Sequence, residues 1–183
     1  MKIISWNAQG AKKVQVVQEV KFLIRTQKAD MLFLLETMVN DSNIKRILPL
    51  LGFDHYDYVS PVNHSGGIAV LWNSDNIHAS VLMKESRAIH MLVHDLSKAQ
   101  NSIISGVYAP AQSREKNDFW NHFIELNNII DLPWCLIGDF NEILCPNEKL
   151  GGPTPAANRF YRLRNFLSVV NAECVPTLGR LFT

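Results

Sequence analysis

The chain has little with which to staple itself covalently. Its three cysteines, Cys135, Cys145 and Cys174, are odd in number and widely spaced, with no Cys-x-x-Cys pair. Neither a disulfide framework nor a zinc knuckle is indicated. Long hydrophobic runs are also missing. No stretch approaches the roughly 18 apolar residues that a bilayer span needs. The opening Met1-Lys2-Ile3-Ile4-Ser5-Trp6-Asn7 is too short for a signal-peptide core before polar Asn7 and Gln9 intervene. The chain therefore reads as soluble and intracellular, without a membrane partner. Nor is there an excess of positive charge. The formal net charge is +1, so any grip on nucleic acid has to come from local patches. Gly-x-Ser-x-Gly and Gly-x-x-x-x-Gly-Lys-Ser/Thr are both missing, which leaves serine-hydrolase and P-loop chemistry unsupported. There is no internal repeat and no low-complexity segment.

What is present is an ordinary globular chain of 183 residues, a length that fits a single domain over residues 1–183 with a substantial core. Residues 2–6 read as a strand. Val16, Val17, Val20, Leu23 and Ile24 follow at helical spacing, with Lys13, Gln15, Gln18, Lys21 and Arg25 on the other face. Met31-Leu32-Phe33-Leu34-Leu35 is apolar throughout, as a strand buried on both faces is. A short helix over 43–51 is stopped by Gly52. Strands are predicted at 68–72, 79–83, 88–93, 102–108 and 134–137. A helix over 114–130 turns Phe119, Trp120, Phe123, Leu126 and Ile130 inward. A last helix over 157–170 buries Phe160, Leu163, Leu167 and Val170. Many strands succeed one another with no helix between them, which argues against a doubly wound parallel sheet. Two mixed sheets packed as a sandwich, with helices outside, suit the order better.

The informative pattern is the apolar strand that ends on an acid or amide. Glu36 follows five apolar residues, Asp139 follows 134–137 with only Gly138 between, and Asn7 follows the first strand. A core strand delivers such a side chain to a sheet edge with little positional freedom, as a preorganised site requires. Any one of them alone reads equally well as a strand or turn cap; the three together, with Gly138 permitting close backbone approach, do not. Carboxylates and amides are hard ligands suited to Mg²⁺ or Mn²⁺. Glu36 suits a metal ligand, Asp139 a group that orients or deprotonates the attacking water, and Asn141 a group that fixes that water or a phosphate oxygen. Tyr108, ahead of Ala109-Pro110, has a phenol able to donate to phosphate. His90 and His94 are four apart, the spacing of a helical metal pair, but their segment reads as a strand. Among the six histidines, His64, before Ser65-Gly66-Gly67, lies in a loop on the site side. The basic and aromatic stretch Asn158-Arg159-Phe160-Tyr161-Arg162-Leu163-Arg164 reads as a solvated helix face with a buried stripe rather than a DNA-tracking surface.

Several stretches carry a family resemblance: Ile4-Ser5-Trp6-Asn7 with Gly10, Leu35-Glu36-Thr37, Ser65-Gly66-Gly67-Ile68-Ala69-Val70-Leu71-Trp72, Val107-Tyr108-Ala109-Pro110, Gly138-Asp139-Phe140-Asn141, and Gly151-Gly152. In this order they resemble the endonuclease/exonuclease/phosphatase superfamily. More narrowly, they resemble the endonuclease domain of plant non-LTR (LINE-type) retrotransposon polyproteins, related to apurinic endonucleases. The resemblance covers nearly the whole chain. It implies a DNase I-like sandwich flanked by helices, with Asn7 and Glu36 helping to hold the metal and Glu36 binding it directly. It also implies that Tyr108 contacts phosphate, Asp139 activates or positions water, and Asn141 assists. The implied reaction is Mg²⁺-dependent nicking of one strand of duplex DNA, which leaves a 3′-hydroxyl to prime reverse transcription. Action on chromosomal DNA would place it in the nucleus.

The chain departs from the family at its end. The family continues for several strands past the position of Thr183 and carries there a further Asp and a Ser-Asp-His motif. No Asp follows Asp139 and no His follows His122. The sequence therefore leaves three readings beside an active nuclease: an inactive remnant or polyprotein fragment, a phosphatase or phospholipase of the same fold, and a DNA-binding module. The sequence does not address oligomeric state.

Overall fold

A computed structural model describes residues 1–12, 14–62, 65–148 and 160–176. The chain divides into two compact units, Met1–Tyr108 with Leu132–Asp139, and Ala109–Asp131 with Phe140–Thr183.

The first unit is organised around Met31–Leu35, here β2, in which every residue is at most 1% exposed. Side chains alternate along a strand, so full burial requires apolar partners on both faces. On one face, Leu32 and Leu34 join Ala69 and Leu71 beneath Val20, Ile44 and Leu48. On the other, Met31, Phe33 and Leu35 join Ile68, Val70 and Trp72 against Ile77, Ile89, Met91, Val93 and Ile104. Two mixed sheets produce this arrangement. In the first, β1 (Ile3–Asn7) pairs parallel with β2, which pairs antiparallel with β4 (Ile68–Trp72), which pairs antiparallel with β3 (His55–Val59). In the second, β5 (Ile77–Glu85), β6 (Ala88–Asp95) and β7 (Gln100–Tyr108) are antiparallel neighbours, and β8 (Trp134–Asp139) joins β7 in parallel. Helices α1 (Val14–Gln27) and α2 (Asp41–Ile47) cover the outer face of the first sheet. The side chain of Asn40 caps α2 by accepting from Asn43 N at 3.1 Å. After a short turn, Leu48–Leu51, Gly52 ends the element in left-handed geometry, φ +82°.

The second unit contains α3 (Ser113–Asn127) and α4 (Tyr161–Val169). They meet through an aromatic cluster in which the Trp120 ring centre lies 4.7 Å from Phe166 and 6.0 Å from Phe140. None of the described helices is long and apolar enough to cross a membrane.

The two-sheet sandwich expected from the strand order is what forms. Three local expectations differ. Strand β3 is not foreseen from the sequence. Its His-Tyr-Asp-Tyr-Val sequence is polar and partly exposed because it is an edge strand with one neighbour. The last helix buries Phe166, with Leu167 and Val170 only half-buried, and residues 157–159 lie outside the described ones. The long helix ends at Asn127, so Ile130 falls beyond it and is half-buried.

The sheets approach closely at Gly106, where an added Cβ would overlap the ring of Phe33, itself fully buried. Neither ring nor backbone has room to yield. Gly106→Ala is therefore expected to destabilise the protein by about 1–3 kcal/mol. Urea denaturation checks this, and an unchanged midpoint would contradict the packing described.

Candidate active site

Four of the sequence-predicted residues stand at ends of neighbouring strands. Asn7 is the last residue of β1, Glu36 directly follows β2, and Tyr108 and Asp139 close β7 and β8. Parallel pairing brings these ends level: Asn7 is in register with Leu35, and Tyr108 with Asp139. Two hydrogen bonds then cross from one sheet to the other. Asn7 Nδ2 donates to Asp139 Oδ2 at 3.1 Å. The Tyr108 hydroxyl donates to Glu36 Oε1. The first unit thus assembles two carboxylates, an amide and a phenol at one end of its sandwich.

Backbone geometry after the strands aims these groups. Glu36 has φ +50°, and Gln9 and Met38 are left-handed as well, at +45° and +52°. Such conformations cost non-glycine residues of order 1–3 kcal/mol each and persist only where surrounding bonds over-determine them. Here Gly10 N donates to Glu36 O and Ala11 N to Thr37 O, at 2.9 and 2.8 Å. Thr37 N and Met38 N donate to Gly67 O and Gly66 O, both at 3.1 Å. Pairing therefore continues past the strands and holds Glu36 in its turn. Gly138, at φ +147°, lets β8 run beside β7 just before Asp139; a Cβ there would overlap Val107 O. Asn7 Oδ1 accepts from Gln9 N at 3.1 Å, which turns the amide nitrogen toward Asp139.

The phenol of Tyr108 is pushed up from its ordinary 10.0 to about 12. Burial is the main cause, followed by its bond to Glu36 and the charges of Glu36 and Asp139; Arg87 opposes them. Arg87 lies over the Tyr108 ring, 5.7 Å from its centre, and Tyr108 N donates to Arg87 O at 3.0 Å. Gly66 lies against the same ring.

Asn141 belongs to the second unit. It too is left-handed, φ +49°. Its side-chain nitrogen donates to Ala109 O at 2.8 Å, and its main-chain oxygen accepts from Lys116 Nζ. Neither Arg87 nor Lys116 is singled out by the sequence pattern. Lys116 left a trace there, being the one cation on the apolar stripe four residues before Trp120. Arg87 sits in the tight turn between β5 and β6 and left none.

The histidine spacing has a structural meaning. His90 and His94 lie on β6, where His90 Nδ1 meets Ser105 Oγ and His94 Nδ1 meets Asn101 Oδ1, each at 2.7 Å. His64 lies outside the described residues, as do Gly151 and Gly152. In the described part of the basic stretch, Phe160 and Leu163 are buried and Arg162 bonds Asn117 and Ser113, so a buried stripe is what that segment carries. Among the described residues, no group of three or more His, Cys, Asp or Glu side chains forms a metal cluster. The oxygen donors that this end of the sandwich offers are the carboxylates of Glu36 and Asp139, with the amide of Asn7 and the phenol of Tyr108 beside them.

This arrangement defines an α/β sandwich of the DNase I-like, apurinic-endonuclease-like class. Solved structures share the fold. An AP endonuclease from Leishmania major superposes with a TM-score of 0.71 at 14% identity, covering 92% of this chain and 66% of that one. A 3′ phosphatase from Neisseria, bound to a product DNA hairpin, gives 0.68 at 17% identity over 92% of this chain and 71% of the other. The endonuclease domain of TRAS1, a telomere-specific non-LTR retrotransposon, gives 0.65 at 12% identity over 91% and 71%. The chain thus spans about two thirds of the Leishmania enzyme. No curated protein matches it by sequence. The chain belongs to the Endonuclease/Exonuclease/phosphatase family, whose pattern matches residues 4–167.

The phenol gives a direct test. Of the four tyrosines, one is expected to ionise near pH 12 in the folded, chelator-treated protein, and Tyr108→Phe is expected to remove that step from the tyrosinate absorbance titration. The folded state keeps a proton that the unfolded state gives up, so this contribution to stability is complete below pH 10 and is lost as pH rises toward 12. Four phenols ionising together would contradict the arrangement.

Proposed function

We propose that this chain is a Mg²⁺-dependent phosphodiesterase of the DNA endonuclease type, nicking one strand of duplex DNA, from the plant LINE-type retrotransposon branch of its family. The observation that supports it best is the pair of cross-sheet bonds, Asn7 to Asp139 and Tyr108 to Glu36. They gather a base, a neutral donor and hard oxygen ligands at one place. Glu36, helped by Asn7, would hold the ion; Mn²⁺ suits the same donors. Bound there, the metal supplies positive charge to a phosphate oxygen and to the leaving oxygen.

The chain's own residues do the rest. Asp139 takes the proton of the attacking water, and its bond from Asn7 fixes the carboxylate for that transfer. Tyr108 stays protonated across the physiological range, so its single O–H, held on Glu36 in the absence of substrate, turns to donate to a phosphate oxygen rather than repelling it. Asn141, two residues along the chain from Asp139, orients the water. The retroelement branch rests on the motif order, above all Gly66-Gly67-Ile68-Ala69-Val70-Leu71-Trp72 and Gly151-Gly152. Work on chromosomal DNA would place the protein in the nucleus.

One second reading has a specific observation behind it. The Neisseria structure with the same fold is a 3′ phosphatase, and one fold hosts many substrates. Supercoiled plasmid and a DNA duplex carrying a 3′-phosphate separate the two. With Mg²⁺, the chain is expected to convert supercoiled plasmid to open circle. Glu36→Gln and Asp139→Asn are each expected to slow this by roughly 10²–10⁴-fold. Release of inorganic phosphate with intact plasmid would establish the phosphatase instead. Inactivity on both would overturn the enzymatic proposal for this chain.

A further inference from the structure

Lys116 projects from the apolar stripe of α3, in line with Trp120, Phe123 and Leu126, and is only 7% exposed. Placing an ammonium there costs several kcal/mol unless it is paired and hydrogen-bonded. Its Nζ donates to the main-chain oxygen of Asn141 and lies 3.3 Å from Glu142 Oε1. The Glu142 side chain is 4% exposed, and its Oε1 receives no aligned hydrogen bond from any described residue. Among the described residues that oxygen is held by charge, from Lys116 and from Arg162 Nη1 at 4.0 Å. Arg162 is itself fixed across α3 by Asn117 Oδ1 and Ser113 Oγ, both at 2.7 Å.

The cluster therefore grips three consecutive residues. Phe140 lies tilted against Trp120, Asn141 O accepts from Lys116, and Glu142 closes the ion pair. Between these anchors Asn141 is left-handed, with its side-chain nitrogen on Ala109 O. That bond sets which end of the amide turns away from Ala109, namely the carbonyl oxygen Oδ1. An apolar residue at 116 would fill the same space. The ammonium alone adds the bond to Asn141 O. We infer that Lys116 is a positioning residue: through its bond to the Asn141 carbonyl and its ion pair with Glu142, it holds the Asn141 amide in one orientation. The link to turnover rests on the water-orienting role proposed for Asn141; the link to amide orientation does not.

Two readouts keep these apart. Asn141→Asp identifies the Asn141 side-chain amide signal in an ¹⁵N spectrum of the full chain. In Lys116→Met, that signal is expected to move to the position of a solvated amide and to exchange faster with water. In Lys116→Arg, which restores charge and donors, it is expected to stay near its original place. On plasmid, Lys116→Met is expected to lower kcat by about 10- to 100-fold with KM unchanged, as misplacement of an orienting group does. The arginine variant recovers most of that loss. An unmoved amide signal in a folded Lys116→Met variant would overturn the inference. Should that variant not fold, Glu142→Gln, which removes the charge partner at equal volume, takes its place with the same two outcomes. If wild-type chain cleaves nothing, the functional proposal fails, and the amide signal alone decides whether Lys116 positions Asn141.

Discussion

Everything at the candidate site depends on bonding between side chains that start from different sheets. Packed sheets stand about 10 Å apart, so two polar side chains meet across that gap only where their reach and register match. Tyr108 and Glu36 do so, and so do Asn7 and Asp139. The choice of residue types follows from charge. Glu36 and Asp139 both raise the Tyr108 phenol by their negative charge, so each senses the same ring. A third acid in place of that phenol would add repulsion where a donor is needed. Burial keeps the phenol neutral, and as a neutral donor it joins the two sheets without adding charge.

Much of the fold behind this arrangement is written locally. A run of five apolar residues ending on Glu36 announces a doubly buried strand and the polar group at its end, because burial on both faces leaves no polar position to obscure the signal. The same holds for 134–137 ahead of Gly138-Asp139. Strand β3 is hidden for the opposite reason. Its one neighbour, β4, supplies the ladder, so its own side chains need not be apolar, and Asp57 instead pairs with Lys84 at 2.9 Å. The Tyr108–Glu36 bond is not legible at all from sequence. It joins residues 72 positions apart and depends on how two sheets are registered, a non-local property. Lys116 stands in line with the apolar stripe of α3, but that position alone does not say whether the charge escapes to solvent or finds a partner.

Family membership narrows the chemistry to phosphoesters without choosing the ester. Nucleases and a phosphatase share the fold, at identities far too low to carry function across. What this chain offers toward a choice is its charge. A net +1 supplies no general attraction for a polyanion, and long-range steering would accordingly be weak. Recognition of DNA would have to rest on groups held in place at the site. The raised phenol of Tyr108 and the half-buried Arg87 lying over its ring are held in place there.

A held group has to be held by something, and the second unit shows what that requires. Buried ion pairs are poor stabilisers: replacing one with well-packed apolar residues is often neutral or better for stability. Lys116, Glu142 and Arg162 are therefore hard to account for as cohesion, since Trp120, Phe123 and Phe166 already join the two helices. What the charges add is direction. A left-handed asparagine is a strained one, and a turn held only by apolar contacts could slide without losing much area. A cation fixed on its carbonyl makes sliding costly, because movement would leave the ammonium buried and unpaired. On that argument the charged cluster exchanges some stability for one orientation of Asn141.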